Sequence, residues 1–239
     1  MSKTTLKRLP APASWPIKRK EYKLVVKTSS GTHPMERSLP ALVLVRDILK
    51  LTDIAREAIN IIAKGNMLID NRVIKDYRFP VGLMDTVQFP VITRAYRMMI
   101  DGRGMLVPVE ISAEEAKWKL SRIEKKITTK KGKFILTMFD GRNMLLDKAN
   151  EYSTRDVLKI ELPSQKIVDL YKFKEGNVAY VWKGKNAGRI GTISKLEVSK
   201  SGLDNLVYFK EGFVTSYNNV YVAGKSIPDI RLPEVVANE

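Results

Sequence analysis

The sequence predicts a multidomain α+β protein assembled from small modules, and two observations support this fold class. Apolar residues recur at helical spacing in two regions, residues 41–63 and 113–127. Elsewhere, from residue 91 onward, apolar and polar residues alternate between glycine-containing turns, which is typical of antiparallel strands. The 239-residue chain carries 42 Lys and Arg against 26 Asp and Glu, a formal net charge of +16.

The charge and the residue types limit the possible functions. The positive charge favours a polyanionic partner, either a nucleic acid or an anionic membrane face. A membrane is the weaker choice, because no apolar run approaches the roughly 20 residues that span a bilayer and no signal-peptide core follows residues 1–4. The chain has no cysteine and one histidine, His33. Disulfides, thiolate metal sites, Cys–His catalysis and His-based triads are therefore excluded, and we expect no metal and no cofactor.

Residues 1–36 are expected to form a basic N-terminal arm. The first 27 hold eight cations against one acid, Glu21, and three prolines interrupt them. The scattered apolar residues predict no core, so the free arm should be disordered and should order on RNA. Trp15 and Tyr22 lie among the cations, which favours an RNA-binding arm over a solvated tail or a processing remnant. The candidate RNA-binding residues here are Lys3, Lys7, Arg8, Lys18, Arg19 and Lys20.

Residues 41–75 predict two short helices and a hairpin. A linker of small residues precedes them, and its His33 is expected to be a loop residue that donates to a phosphate. The apolar faces of the two helices consist of Leu42, Val45, Ile48 and Leu49, and of Ala55, Ala58, Ile59 and Ile62. Lys64-Gly65 ends the second helix, and Asp70-Asn71 predicts a tight turn between two strands. Six cations are left for solvent or a partner: Arg46, Lys50, Arg56, Lys64, Arg72 and Lys75.

This segment resembles the alpha-L, or S-four-type, RNA-binding motif of ribosomal proteins and RNA-modifying enzymes. The resemblance rests on the sequences REA at 56–58, KGNMLIDN at 64–71 and PVGLMDTV at 80–87. Many members carry arginine where this chain has Ala55, so one expected phosphate contact is missing or is supplied by a neighbour. The resemblance implies that residues 37–92 bind RNA through the six cations. The alternative is a small α/β core that is basic only on its outside.

Residues 93–171 predict a small α+β domain with antiparallel strands. Strands are expected at 96–100 and 105–111, at 134–139 and 144–146, and at 157–160 and 166–170. Ser112 and Glu115 form a capping box, which predicts a helix with Ala116, Leu120, Ile123 and Ile127 on its apolar face. The cations of this helix, Lys117, Lys119, Arg122, Lys125 and Lys126, are expected on a solvated face.

Residues 172–239 predict a small barrel followed by an extended tail. Strands are expected at 178–182, 190–193, 206–210, 213–216 and 220–222. A basic glycine loop over 183–189 should turn tightly and approach a ligand closely. The glycine spacing resembles the KOW motif, matched by Gly176, Val181, Gly184, Gly188, Gly191 and Ile193. This resemblance implies an SH3-like β-barrel whose RNA-binding residues are Lys183, Lys185, Gly188 and Arg189.

Over almost the whole chain, the module order is similar to that of the S-four-e family of small-subunit ribosomal proteins of archaea and eukaryotes. Further similarity lies in LKRLPAP (6–12), RSLP (37–40), EEAKWKL (114–120), GRIG (188–191) and NVYVAGK (219–225), and the short C-terminus is similar to archaeal members. The resemblance implies a protein of the cytoplasmic ribosome that has no catalytic residues. It would bind folded small-subunit ribosomal RNA, mainly through phosphates and shape, beside neighbouring ribosomal proteins and no membrane.

Two other functions stay open from the sequence. An RNA-modifying enzyme or its accessory subunit would also carry an alpha-L motif. Its candidate acids, Asp101, Asp140, Asp147 and Asp156, however, lie in turns or near strand ends, where aspartate is common. No glycine-rich nucleotide loop follows a strand. A transcription factor with a KOW barrel would leave the alpha-L motif unexplained.

Overall fold

The computed structural model describes residues 4–130, 132–148, 150–199 and 204–231, and it is a mostly stranded α+β protein with two compact units. The first unit holds the described residues up to Asp101, with Met105–Lys119 and Leu162–Ser164. The second holds Gly102–Gly104, Leu120–Glu161 and the described residues from Gln165. The candidate Lys3 and the tail beyond residue 231 lie outside the described residues. Within the described part of the chain, no helix is long and apolar enough to cross a membrane.

The first unit contains an antiparallel sheet of five strands, two further strand pairs and two short helices. Its strands are β1 (Thr5–Lys7), β2 (Leu24–Val26), β3 (Ser38–Pro40), β4 (Leu68–Ile69), β5 (Arg72–Val73), β6 (Pro80–Gly82), β7 (Thr86–Phe89), β8 (Arg94–Ile100) and β9 (Leu106–Ile111). The sheet order is β5-β4-β7-β8-β9, and β1 pairs with β2 and β3 with β6. Helix α1 (Ala41–Val43) continues as a π-helical turn over Leu44–Ile48, and α2 spans Ala55–Ala63.

The predicted helix pair and hairpin are confirmed. Helix α2 buries Ala58 and Ile62, which are spaced one turn apart, and contacts α1 with this face. At the hairpin between β4 and β5, Asp70 and Asn71 have φ values of 51° and 59°. Two successive left-handed residues form the tight turn that matches the twist of the strands, and aspartate and asparagine tolerate this conformation. These features are local, so the sequence alone predicts them.

The N-terminal arm is folded onto the first unit, so the expectation of a disordered arm without core residues is wrong. β1 and β2 pair in antiparallel register, with Leu6 opposite Val25. Trp15 is 1% exposed, and its indole Nε1 donates to the carbonyl of Ser38 at 2.6 Å. The backbone N–H of Leu106 donates to the carbonyl of Ser14 at 2.8 Å. The arm lacks a core of its own, but its tryptophan packs against segments far away in the sequence.

A buried charge network in the first unit surrounds Lys119. Its Nζ lies 2.8 Å from Asp70 Oδ2 and 2.9 Å from Asp85 Oδ1, and all three side chains are at most 4% exposed. Asp85 Oδ1 also lies 3.0 Å from His33 Nε2, and Asp85 Oδ2 accepts the Gly82 N–H at 2.9 Å. Each buried charge therefore faces a charge of opposite sign or a hydrogen-bond donor, as burial requires.

This network corrects two predictions. His33 does lie in a loop, but its side chain does not face outward toward a phosphate, because it is buried against Asp85. Lys119 does not lie on a solvated face, because it neutralises two aspartates that precede it by 49 and 34 residues. The position of the His33 ring also explains why the PVGLMDTV segment has a glycine at 82, because a Cβ on Gly82 would overlap this ring.

The network makes the stability of the first unit depend on pH. Burial alone would raise the pKa of Asp85. The electrostatic interactions with His33 and Lys119, and the hydrogen bonds from His33 and Gly82, instead hold this pKa well below its ordinary value. A carboxylate whose folded-state pKa is depressed contributes stability above its unfolded pKa of about 3.9, and that contribution is lost as the pH falls toward the folded-state pKa.

Wild type is therefore expected to be more stable than Asp85→Asn at neutral pH and to lose this advantage on acidification. Urea denaturation of both proteins at about pH 7, 4 and 3 measures the difference, since the ionised form of Asp85 is the one that the network stabilises. A stability difference that stays constant from pH 7 to pH 3 would contradict the charged state assigned to Asp85.

The described residues of the second unit form two sheets of five strands. Its strands are β10 (Trp118–Thr128), whose first two residues belong to the first unit, β11 (Phe134–Met138), β12 (Asn143–Leu146), β13 (Val157–Glu161), β14 (Ile167–Tyr171), β15 (Val178–Val181), β16 (Ile190–Glu197), β17 (Leu206–Phe209), β18 (Val214–Ser216) and β19 (Val220–Gly224). The sheet orders are β12-β11-β10-β13-β14 and β18-β17-β16-β15-β19. Separate apolar clusters, one containing Leu136 and Leu158 and one containing Val181 and Phe209, form the cores. The strands predicted from residue 134 onward are confirmed.

The helix predicted after Ser112 is wrong. Ser112 Oγ accepts the N–H of Glu115 at 3.2 Å as a cap would, but it caps one 3₁₀ turn, Glu115–Lys117, and the chain then extends into β10. β10 lies between β11 and β13, so the backbone of β10 forms hydrogen bonds with a strand on each side. Leu120 and Ile123, whose spacing suggested a helical face, are fully buried strand residues. Tertiary pairing outweighs local preference here.

Candidate nucleic-acid interface

Most predicted RNA-binding cations are exposed, and they fall into two groups on the first unit and one on the second. The exposed ones are Lys7, Lys18, Lys20, Lys50, Arg56, Lys64, Arg72, Lys75, Lys183, Lys185 and Arg189. Arg19, Arg46 and Gly188 are half-buried, and Arg8 is buried. The candidate site is therefore a set of separate basic surfaces.

The first group, here called the arm surface, consists of Tyr22 and the exposed lysines 7, 18, 20, 23 and 50. A cleft of about 420 Å³ brings Lys18 of the arm together with Arg46 and Lys50, which follow α1. A second cleft of about 520 Å³ brings together Lys7, Lys20 and Lys23. The predicted RNA-binding residues did not include Lys23, although its position next to Tyr22 in the basic arm is a sequence signal that would have found it. These cations are separated along the sequence, and the folding of the arm brings them close together in space.

Three of the predicted arginines stabilise the arm surface. Arg8, one of the predicted RNA-binding residues, is 2% exposed, with Nη1 3.5 Å from Glu21 Oε2 and Nη2 3.7 Å from Asp47 Oδ2. Arg19 donates to the carbonyls of the neighbouring arm residues 9, 11 and 12. Arg46 donates to both carboxylate oxygens of Asp47 at 2.8 and 3.0 Å, and this hydrogen bonding raises its pKa.

The second group, here called the helix surface, consists of Arg56, Lys64, Arg72 and Lys75. Arg56 lies in the first turn of α2, and Lys64 follows its last turn, about 12 Å further along the axis. Gly65 then turns the chain with a φ of +80°, and a Cβ on it would lie 2.9 Å from Val73 Cγ1. The end of α2 therefore packs on β5, which places Lys64 beside the strand that carries Arg72.

The third group lies on the glycine loop between β15 and β16, in the second unit. Gly184 and Gly188 have φ values of +96° and +77°, which favour glycine, and the N–H of Gly188 donates to the carbonyl of Val181 at 2.8 Å. Ala187 packs inward, while Lys183, Lys185 and Arg189 are exposed. Gly188 thus shapes the loop, and the three cations form its outer surface.

Three other cations are buried, and sequence reasoning missed this. The guanidinium of Arg97 lies 4.4 Å from the Trp118 ring centroid and donates to the carbonyls of Glu115 and Trp118 at 2.9 Å. Arg122 donates to the carbonyls of Asn218 and Val220 at 2.9 and 2.7 Å. Lys119 is the third. Carbonyls and carboxylates satisfy these cations within the fold, so they do not belong to a surface that binds a partner.

The acids that an enzyme would need have structural roles. Asp101 Oδ1 accepts the N–H of Met105 at 2.8 Å across a turn. Asp156 is 4% exposed and accepts the N–H groups of Ser153 and Phe173 at 2.9 and 2.8 Å. Asp140 accepts the N–H of Arg142 at 3.2 Å, and Asp147 forms an exposed ion pair with Lys133. The contacts of Asp101, Asp140 and Asp156 are the ordinary turn chemistry that the sequence indicated, and Asp147 forms only the ion pair described.

Comparisons with known proteins identify relatives of the chain. A family model described as "Ribosomal family S4e" matches residues 92–167, and one described as "RS4NT (NUC023) domain" matches residues 2–36. The chain is 43% identical to the small ribosomal subunit protein eS4 of Ignicoccus hospitalis over 97% of this chain and 96% of the relative. It is 42% identical to the eS4 protein of Methanothermobacter thermautotrophicus over 97% of each chain.

A solved structure has the same fold. The crystal structure of the 30S ribosomal protein S4e from Thermoplasma acidophilum aligns with a TM-score of 0.72 at 34% sequence identity, and the alignment covers 80% of this chain and 96% of that one. Sequence identity above 40% over nearly the full length of two archaeal relatives, together with this structural match, identifies the family. The chain belongs to ribosomal family S4e.

Proposed function

We propose that the protein is a structural constituent of the small ribosomal subunit and that it binds folded ribosomal RNA through its exposed basic surfaces. The observation that carries this proposal is the 43% identity, over nearly the whole chain, to a protein named for that subunit. The formal charge of +16 and the exposure of eleven predicted cations support RNA as the direct partner. Neighbouring ribosomal proteins are the further partners proposed, in a cytoplasmic ribosome.

The proposal assigns a structural role to each of four segments of the chain. Residues 1–36 supply the arm surface, together with Lys50. Residues 37–92 act as an alpha-L motif that presents the helix surface, residues 93–171 form the central domain, and residues 172–239 form an SH3-like KOW barrel that presents the glycine loop. The left-handed turn at Asp70-Asn71 and the positive φ of Gly184 and Gly188 support the two motif assignments, since both motifs depend on tight turns. Separate basic surfaces allow one protein to hold several RNA strands.

The proposal includes no catalytic step. Three of the four aspartates available to an RNA-modifying enzyme accept backbone N–H groups in turns, and the fourth, Asp147, forms an exposed ion pair. The comparisons favour neither the enzyme nor the transcription-factor alternative. Since double-helical RNA hides its base edges in a deep groove, a protein of this kind works mainly through phosphates, 2′-hydroxyls and shape.

The dependence of RNA affinity on salt tests the proposal. Each phosphate that a cation neutralises releases counterions, so the logarithm of the binding constant falls with the logarithm of salt concentration by about 0.7 to 0.9 per contact. About six contacts would give a slope near −4 to −5. Filter binding of full-length protein to small-subunit ribosomal RNA across a salt series measures the slope. An affinity that hardly changes with salt would contradict binding through phosphates.

A further inference from the structure

Tyr22 differs from the other aromatic residues of the protein. Among all aromatic residues, which all lie within the described part of the chain, it is the one with an exposed side chain, at 64%. Trp15, seven residues earlier in the same arm, is 1% exposed and fills the core. Leaving an aromatic ring in water gives up the free energy of burying it, and such rings are common where a partner covers them.

The ring of Tyr22 is held from one side. The guanidinium of Arg8 lies over it, 5.2 Å from the ring centroid. Arg8 is itself fixed by its position in the fold, because it is 2% exposed and its guanidinium faces the carboxylates of Glu21 and Asp47 at 3.5 and 3.7 Å. A planar, weakly hydrated guanidinium stacks well on an aromatic face. Arg8 thus orients the ring, while 64% of the residue stays exposed to solvent.

Basic residues border the ring on both sides. Tyr22 and Glu21 are the two residues that line both clefts of the arm surface. Lys18 and Lys50 lie in one cleft, and Lys7, Lys20 and Lys23 lie in the other. All five lysines are exposed, and they outnumber the three acids that line the clefts, Glu21, Asp47 and Asp53. Of these acids, Asp47 pairs with Arg46 and Glu21 faces Arg8. An exposed ring between two groups of cations matches a nucleotide, whose base is flat and apolar and whose two flanking phosphates are negative.

We propose that Tyr22 stacks on one unpaired base of RNA while the flanking lysines hold the phosphates on either side of it. The proposal rests on the function proposed above and adds a ligand of defined chemistry: a nucleotide outside a double helix, at a bulge, a loop or a strand end. Stacking accepts any base, because every base has a π-face. The site therefore recognises that a base is unpaired and does not read its identity.

Two synthetic RNA hairpins provide the probe for the full-length protein. One carries a loop of unpaired uridines, and the other carries abasic riboses at the same loop positions, so their phosphates are identical. Wild-type protein is expected to bind the uridine hairpin about 5- to 150-fold more tightly, the range found for stacking one base on one aromatic side chain. Tyr22→Ala should bring this ratio close to one and leave the affinity for the abasic hairpin unchanged.

Two control variants keep the test specific. Tyr22→Phe retains the ring and its contact with Arg8, so it should keep the ratio of the wild type. Val91→Ala, at a position that is 73% exposed in the same unit, should also keep it. Equal binding of both hairpins by wild type, or an unchanged ratio in Tyr22→Ala, would overturn the stacking proposal while salt-dependent binding through phosphates stood. If neither hairpin were bound, the proposed function would fail as well.

Discussion

Lys119→Met is expected to lower the free energy of unfolding of the first unit by about 3–5 kcal/mol, the range for removing one partner of a buried ion pair. The methionine side chain fills a similar space but carries no charge. Asp70 and Asp85, which now lie 2.8 and 2.9 Å from the Lys119 ammonium, would face each other without it. Equilibrium urea denaturation at neutral pH measures the change through the transition midpoint.

Lys117→Met is the matched control for this variant. Lys117 precedes the buried lysine by two residues, is exposed, and changes the net charge by the same amount when replaced. Exposed substitutions of this kind usually change stability by no more than about 0.5 kcal/mol. If Lys119→Met were as stable as Lys117→Met, the charge network would not hold the first unit together.

Replacing Arg56, Lys64 and Arg72 together with alanine is expected to weaken binding to small-subunit ribosomal RNA by roughly 1–3 kcal/mol per residue, if each makes a charged hydrogen bond to RNA. All three side chains are exposed, so the variant should fold. Because three phosphate contacts are lost, the log–log salt slope should become shallower by about 2 to 3. Filter binding across a salt series measures both quantities in one experiment.

A second triple variant separates a specific surface from net charge. Lys125, Lys148 and Lys172 are exposed in the second unit and lie outside the three basic surfaces. Their replacement with alanine also removes three positive charges. Because these lysines lie outside the basic surfaces, the loss of affinity should be smaller than in the variant of the helix surface. Equal losses in the two variants would mean that RNA responds to overall charge, and the helix surface would lose its special role.

The features that the sequence predicted correctly have local causes. The hairpin at Asp70-Asn71, helix α2 and the glycine loop each follow from the spacing or the backbone preference of adjacent residues. The exposure of Arg56, Lys64 and Arg72 follows from their positions off the apolar stripe. The family resemblance was also correct, because it rests on short sequence motifs in a fixed order and its recognition requires no knowledge of tertiary contacts.

The features that the sequence missed depend on partners far along the chain. Lys119 has the same local setting as an exposed lysine, and the carboxylates that bury it are 34 and 49 residues away. Trp15 finds its hydrogen-bond acceptor at Ser38. Arg8 is one of several cations in a basic run, and nothing in that run shows that it lies beneath Tyr22. Burial of a charge is a tertiary property, so composition and periodicity do not reveal it.

Sedimentation with ribosomal subunits tests the central claim most directly. Purified tagged protein is mixed with small subunits lacking it and centrifuged through a gradient at moderate and at high salt. The account predicts that the protein moves with the small subunit at moderate salt and is released at high salt, because phosphate contacts through cations weaken as counterions accumulate. Protein that remained at the top of the gradient at moderate salt would contradict a role in the small ribosomal subunit.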